Sequence, residues 1–162
     1  MPTRKRYWLM KSEPNTYSYA DLVRAGRTSW EGVRNYQARN LLRDEVKLGD
    51  EVLFYHSSCD PPGAVGICRV VREGYPDHTA FDEASPYYDE KSDPEKPRWY
   101  MVDVEPVRAL TRTVTLEELK AQAKRLGDFA LIRKGNRLSV IPVSAAQWKV
   151  ILALEQARSD DT

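Results

Sequence analysis

The apolar positions of this chain fall mostly into short runs bounded by turn residues, with a few longer stretches of helical period. Tyr7–Met10 is aromatic and aliphatic and closes on Ser12-Glu13-Pro14, where proline forbids further ladder pairing. The pattern predicts a strand whose end delivers Lys11, Ser12 and Glu13 to its rim. Ser18 caps a predicted helix over Tyr19–Ala25, with Asp21 in the first turn and Gly26 as its stop. A second helix fits Asn35–Glu45, because Ala38, Leu41 and Leu42 recur at helical spacing. Asn35, Arg39 and Arg43 stand four apart on its other side, with Tyr36 and Asn40 beside them. Gly49-Asp50 turns into a strand over Glu51–His56, and the polar stretch Ser57–Gly63 returns the chain into a strand over Ala64–Val71. These two are expected to pair as a hairpin.

Arg98–Val107 alternates as a half-buried strand, with Tyr100, Val102 and Val104 on one face and Trp99, Met101 and Asp103 on the other. Thr115 and Glu118 form a capping box for a helix running to Leu126 and ending at Gly127. Ser144 and Gln147 repeat the device for a last helix with a Trp148, Ile151 and Leu152 stripe, and Leu138–Val143 reads as a strand between the two. The segment from Gly74 to Pro97 has no period and reads as a long surface loop, a length that implies function or mobility. Connections between successive strands suit antiparallel pairing. The expected class is therefore α+β, a small curled antiparallel sheet or partial barrel surrounded by helices, in preference to a doubly wound sheet.

Length sharpens this only to a single domain over 1–162. The net charge of +1 hides an uneven distribution: Gly74–Pro97 holds seven acids against Lys91 and Lys96, a net of −5, which leaves +6 for the rest. Such a split is compatible with an anionic partner on one face, and equally with a solvated surface carrying an acidic loop. Cys59 and Cys68 occur without a signal-peptide pattern, which favours reduced thiols in a reducing compartment. The longest apolar runs, near Val52–Tyr55 and Val150–Leu154, fall far short of the roughly 18 residues of a membrane span. A soluble protein with no membrane partner is expected.

Polar and aromatic residues gather where the elements end: Lys11-Ser12-Glu13, Trp30, Arg34-Asn35-Tyr36-Gln37, Tyr55-His56-Ser57 and Arg137-Leu138-Ser139. Trp30 in a Gly-flanked loop suits stacking on a planar ligand, and suits equally a lid over the core. Asn35 and Gln37 carry the paired donor and acceptor that reading a base edge needs, while Asn35 also fits a helix cap. Arg34, Arg39 and Arg43 could meet phosphates or only solvate a face. His56 near Ser57 and Cys59 is the one place where nucleophilic catalysis could start, but adjacent strand residues point to opposite faces and no orienting third group is evident. His56, Cys59, Cys68 and His78 lack metal-ligand spacing. A binding module is expected, with no catalytic residue, metal or cofactor.

Four segments in order, WLMKSEP from Trp8, WEGVRNYQARN from Trp30, FYHS from Phe54 and RLSVIPV from Arg137, closely resemble the EVE domain family, and the likeness runs from about Tyr7 to about Ala157. The resemblance implies a PUA-like fold, a curled β pseudo-barrel with surrounding helices, akin to YTH and ASCH domains. It also implies a nucleic-acid partner carrying a modified base, methylated or hydroxymethylated cytosine in DNA being the leading case. Trp30 would then be the stacking wall. Lys11, Ser12, Glu13, Val33, Arg34, Asn35, Tyr36, Gln37 and Arg39 would line the pocket. Tyr55, His56, Ser57, Arg137, Leu138 and Ser139 would complete it. The alternatives are an RNA module recognising a modified base, a hydrolase of modified nucleotides using His56 or Glu13, and an adaptor that contacts a protein through the acidic loop. The basic stretch Arg4-Lys5-Arg6 is too brief for a targeting signal, so a cytoplasmic, bacterial-type location is expected, or a nuclear one in a eukaryote.

Overall fold

The computed structural model describes residues 5–134 and 138–156. Six strands form one sheet in the order β2-β5-β4-β3-β1-β6. β1 (Tyr7–Ser12) and β3 (Glu51–His56) lie side by side near its centre, and β4 (Gly63–Pro76) and β5 (Tyr100–Thr115) are its long arms. The two-residue β2 (Thr28–Ser29) and the short β6 (Val140–Val143) are the edges. The class is α+β, as the sequence implies, and the hydrogen-bonded order has two ends. Repeated register shifts between β4 and β5, and one between β3 and β4, mark bulges, which bend and twist a sheet.

One pairing departs from the antiparallel expectation. β1 and β3 run parallel, with Trp8 opposite Val52 and Met10 opposite Phe54, so the sheet is mixed. A parallel neighbour requires a crossover of a dozen or more residues. Here α1 (Tyr19–Ala25), β2, α2 (Tyr36–Asn40) and the turn after it provide the crossover. Parallel strands covered on both faces carry continuous apolar runs, which is why Tyr7–Met10 and Val52–Tyr55 do not alternate.

Alternate side chains of these strands feed two clusters. Leu9, Leu53 and Tyr55 join Leu119 of α3 (Leu116–Ala121), Leu126 of α4 (Ala123–Leu126), and Trp148 and Ile151 of α5 (Ala145–Gln156). Trp8, Met10, Val52 and Phe54 join Tyr19 and Leu22 of α1, Ala38 of α2, Leu42 and Trp30.

Several boundaries move. α1 spans its expected residues, with a complete Ser18–Asp21 capping box and Gly26 at φ 77° closing it. The second helix is α-helical only over Tyr36–Asn40 and continues as a π turn over Leu41–Glu45, where the Val46 N–H reaches the Leu41 carbonyl at 2.9 Å. The helix after Thr115 breaks at Gln122 into α3 and α4. The Leu138–Val143 strand begins only at Val140. β5 continues eight residues past Val107, and its first half is buried on both faces, not one, because Met101, Val102 and Val104 are all inaccessible. β4 runs on to Pro76, Asp77 is wholly buried, and a 3₁₀ turn follows over His78–Phe81. The start of the Gly74–Pro97 segment is thus sheet and core, not surface loop.

Candidate functional site

A cavity of about 640 Å³ lies among the end of β1, the loop after β2 and the Ser85–Tyr87 turn, a volume in the range of small-ligand sites. β1 and the turn after it contribute Lys11, Ser12, Glu13, Thr16 and Tyr17. Thr28 through Arg34 form the longest wall, and Ser85, Pro86, Tyr87 and Ser139 complete it. Three aromatic residues, Tyr17, Trp30 and Tyr87, therefore border a space lined also by hydroxyls, by charges and by the apolar Val33 and Pro86.

Trp30 serves core and cavity together. It is 8% exposed, its ring meets Phe54 edge-on at 5.3 Å, and its backbone N–H donates to the Val102 carbonyl at 2.7 Å. The indole nitrogens of Trp8 and Trp99 donate to Asp50 and Asp89, at 2.9 and 2.6 Å. The indole N–H of Trp30 has no acceptor among the described residues. Lys11 is half-buried, and burial lowers its pKa by penalising the charged form. It makes no ion pair among the described residues, so an anionic or carbonyl acceptor entering the cavity would meet an under-solvated cation. The Ser12 hydroxyl is held by the Tyr17 carbonyl at 2.5 Å, and the Glu13 carbonyl closes the turn by accepting from the Thr16 and Tyr17 N–H groups. The Ser139 carbonyl accepts from the Lys11 N–H at 2.9 Å, tying the β6 approach to the rim.

The far wall is built by contacts distant in sequence. Asp77 accepts from the Gly32 N–H at 2.8 Å, from Arg34 Nη1 at 3.0 Å and from the N–H and hydroxyl of Thr79. Burial acts to raise its pKa, but these donors outweigh it and hold the carboxyl below the usual range. Arg34 also donates twice to the Tyr87 carbonyl, at 2.6 and 3.1 Å. Its guanidinium is thereby occupied inside the protein and is not a free phosphate ligand.

Of the sequence-derived site residues, Lys11, Ser12, Glu13, Trp30, Val33, Arg34 and Ser139 border the cavity. Others lie elsewhere. Asn35 caps α2, its Oδ1 accepting from the Ala38 N–H at 3.0 Å, which is the capping role that the sequence also allows. Tyr36 stacks on Trp99 at 5.0 Å, Gln37 is exposed, and Arg39 donates to the Arg98 carbonyl at 2.7 Å. Tyr55 points into the cluster under α5, where burial pushes its hydroxyl up to about 12. His56 Nε2 accepts the Tyr19 N–H at 3.1 Å, and burial lowers its pKa, so a neutral imidazole holds the start of α1. The Ser57 N–H donates to the Ser12 carbonyl at 3.0 Å, and Leu138 packs on the α5 cluster. Arg137 lies outside the described residues. Among those described, no three His, Cys, Asp or Glu side chains are grouped to hold a metal.

Sequence reasoning missed Thr16, Tyr17, Thr28, Ser29, Glu31, Gly32 and the Ser85–Tyr87 turn. The first five carry no local signal beyond polarity. Gly32 and Tyr87 had one: a glycine two residues after Trp30, a residue type that permits close backbone approach, and a tyrosine pair in an otherwise acidic segment.

The family model for the EVE domain matches residues 6–154. Mouse thymocyte nuclear protein 1 is 45% identical over 168 residues, covering 93% of this chain and 74% of its own. A crystal structure of a Pseudomonas putida protein is 52% identical with a TM-score of 0.88, covering 92% of this chain and 99% of that one. A crystal structure of the human THYN1 protein, in complex with 5-methylcytosine-containing DNA, is 40% identical with a TM-score of 0.88, covering 95% and 99%. At the level of fold alone, an ASCH protein from Zymomonas mobilis aligns with a TM-score of 0.54 at 10% identity. With the motifs, the sheet and the family model in agreement over almost the whole chain, this protein belongs to the EVE domain family.

Proposed function

We propose that this chain binds DNA carrying a modified cytosine and holds that base in the cavity bordered by Trp30, Tyr17 and Tyr87. The observation that carries the reading is a ligand-sized, aromatic-walled cavity in a chain so similar to the human protein whose structure contains 5-methylcytosine DNA. Extracting a base from its stack costs a few kcal/mol. Stacking on one aromatic face returns about 1–3 kcal/mol, so hydrogen bonds must supply the remainder. The Trp30 indole N–H and the Lys11 ammonium are available for that, one a neutral donor and the other a cation that gains most from an acceptor where water is scarce. A methyl group on the base adds apolar surface to a partly apolar wall.

The reading is of a binding module, not an enzyme. His56, where a general base would be sought, is turned to the first backbone N–H of α1. Arg43, on the π turn, supplies charge for neighbouring phosphates, since its pair with adjacent Asp44 is exposed and weak.

Titration of short duplexes with and without 5-methylcytosine, followed by tryptophan emission, tests the proposal. Tighter binding of the methylated duplex, weakening steeply with salt, is expected, with the preference lost in Trp30→Leu. Equal, salt-insensitive silence for both duplexes would overturn it, and a preference for matched RNA would reassign the sugar.

A further inference from the structure

The Tyr87 wall is made by the segment that the sequence pattern reads as a surface loop, and its attachment is specific. A Cβ on Gly32 would lie 2.6 Å from Tyr87 Cζ and 2.7 and 2.8 Å from two more ring carbons. The ring therefore rests on the bare backbone of the Trp30 loop, at a residue whose φ of 82° itself favours glycine. The Gly32 N–H ends on Asp77, and the Arg34 guanidinium bridges Asp77 to the Tyr87 carbonyl. The other end of the segment is fixed as well. Asp89 donates its N–H to the Ala80 carbonyl at 3.0 Å and accepts the Trp99 indole N–H at 2.6 Å. Within this frame the Tyr87 hydroxyl has no hydrogen-bond partner among the described residues, although the residue lines the cavity. The backbone of the wall is bonded, and the one polar atom of the Tyr87 ring is left over.

We infer that Tyr87 is a specificity-determining wall of the cavity, positioned by the Arg34–Asp77 pair and by the bare Cα of Gly32. The inference rests on the base-binding reading and deepens it: the Asp77–Asp89 segment, seated on the Trp30 loop, decides how closely the base is enclosed and supplies one more hydroxyl to its edge. Arg34 and Asp77 act through Tyr87 and are positioning residues. Arg34→Lys keeps the charge and loses the fork, because one ammonium cannot reach Asp77 and the Tyr87 carbonyl in the same planar geometry.

Two measurements separate this inference from the reading beneath it. The first compares methylated and unmethylated duplexes on Tyr87→Ala, Tyr87→Phe and Gly32→Ala. Tyr87→Ala and Gly32→Ala should each weaken binding of the methylated duplex about tenfold and narrow the preference, while Tyr87→Phe restores the ring and most of the affinity. A Tyr87→Ala protein with wild-type affinity and preference overturns the inference while leaving the cavity reading intact. The second needs no ligand: amide exchange at Gly32, Thr79 and Asp89 in Arg34→Lys, with thermal melting as the control for folding. Faster exchange confined to these amides supports the positioning role. Unchanged exchange overturns it, including in the case where wild type binds neither duplex and the functional reading has failed by itself.

Discussion

Asp77 and Glu155 have fully buried side chains, each meets one arginine and at least one backbone N–H, and they hold different things. Glu155 accepts both Arg108 nitrogens, at 2.7 and 2.9 Å, and the Thr111 N–H at 2.7 Å, and so bolts α5 to β5 over a sealed apolar cluster. Asp77 binds two stretches of loop to each other at the margin of a cavity. The chemistry is the same. The difference lies in what surrounds it: α3, α4 and α5 close one face of the sheet, while on the other face α1, α2 and a loop leave a gap beside Trp30. A buried carboxylate stabilises the element it grips, and where that element borders a gap its grip becomes a matter of binding geometry.

The largest effect that can break this comparison is on the sealed side. Arg108→Ala leaves the Glu155 carboxylate buried without its partner. Because Arg108 is 44% exposed, the cost is set below the 3–5 kcal/mol of a wholly buried pair, at about 2 kcal/mol. Thermal melting should fall by about 6 °C, with affinity for the methylated duplex unchanged. A loss of binding without loss of stability would show that the two regions are not separate.

Lys11→Met should do the opposite. The half-buried ammonium makes no ion pair among the described residues, so an apolar replacement of similar length leaves melting unchanged or slightly higher, while duplex binding weakens about tenfold. Calorimetry on the same sample reads both quantities, and retained affinity would remove Lys11 from the site.

The smallest effect concerns acid. The Arg112 guanidinium, helped by the capping bonds of Thr115, brings the Glu118 carboxyl down to about 2 from an ordinary 4.5. A depressed carboxylate contributes stability that is complete above its unfolded pKa and is lost as pH falls through the folded one. Melting temperature should therefore decline from about pH 4.5 towards about pH 2, and Glu118→Gln should flatten that limb. An unaltered limb would assign it to Asp77 and Glu155, whose carboxyls are lowered too.

Much of the frame was legible because its signals are local. Ser18 with Asp21, Thr115 with Glu118 and Ser144 with Gln147 cap their helices through bonds three residues apart, and these starts fall where the sequence puts them. Glu51–His56 is likewise the strand that its apolar run and flanking turns imply. The parallel β1–β3 pair was not legible, because pairing direction depends on the route taken by the 38 residues of crossover between Ser12 and Glu51. Nor was the π turn after Asn40, where helical spacing of Leu41 and Leu42 looks the same in either winding.

The candidate site divides in the same way. Lys11, Ser12, Glu13 and Trp30 were visible at the ends of elements, and the family likeness to EVE domains followed from short motifs in order. The sequence by itself determined the capped helices, the buried central strands, and the polar and aromatic character of the residues at their ends. Only the tertiary structure decided which of those residues share a cavity. It turned Asn35 into a cap, Arg34 into an internal clamp and His56 into a helix pin, and it brought Tyr87 onto Gly32. The physical reason is range: capping and alternation act over a few residues, whereas the bonds from Arg34 to Asp77 and to Tyr87 cross 43 and 53 positions and exist only once the sheet has folded.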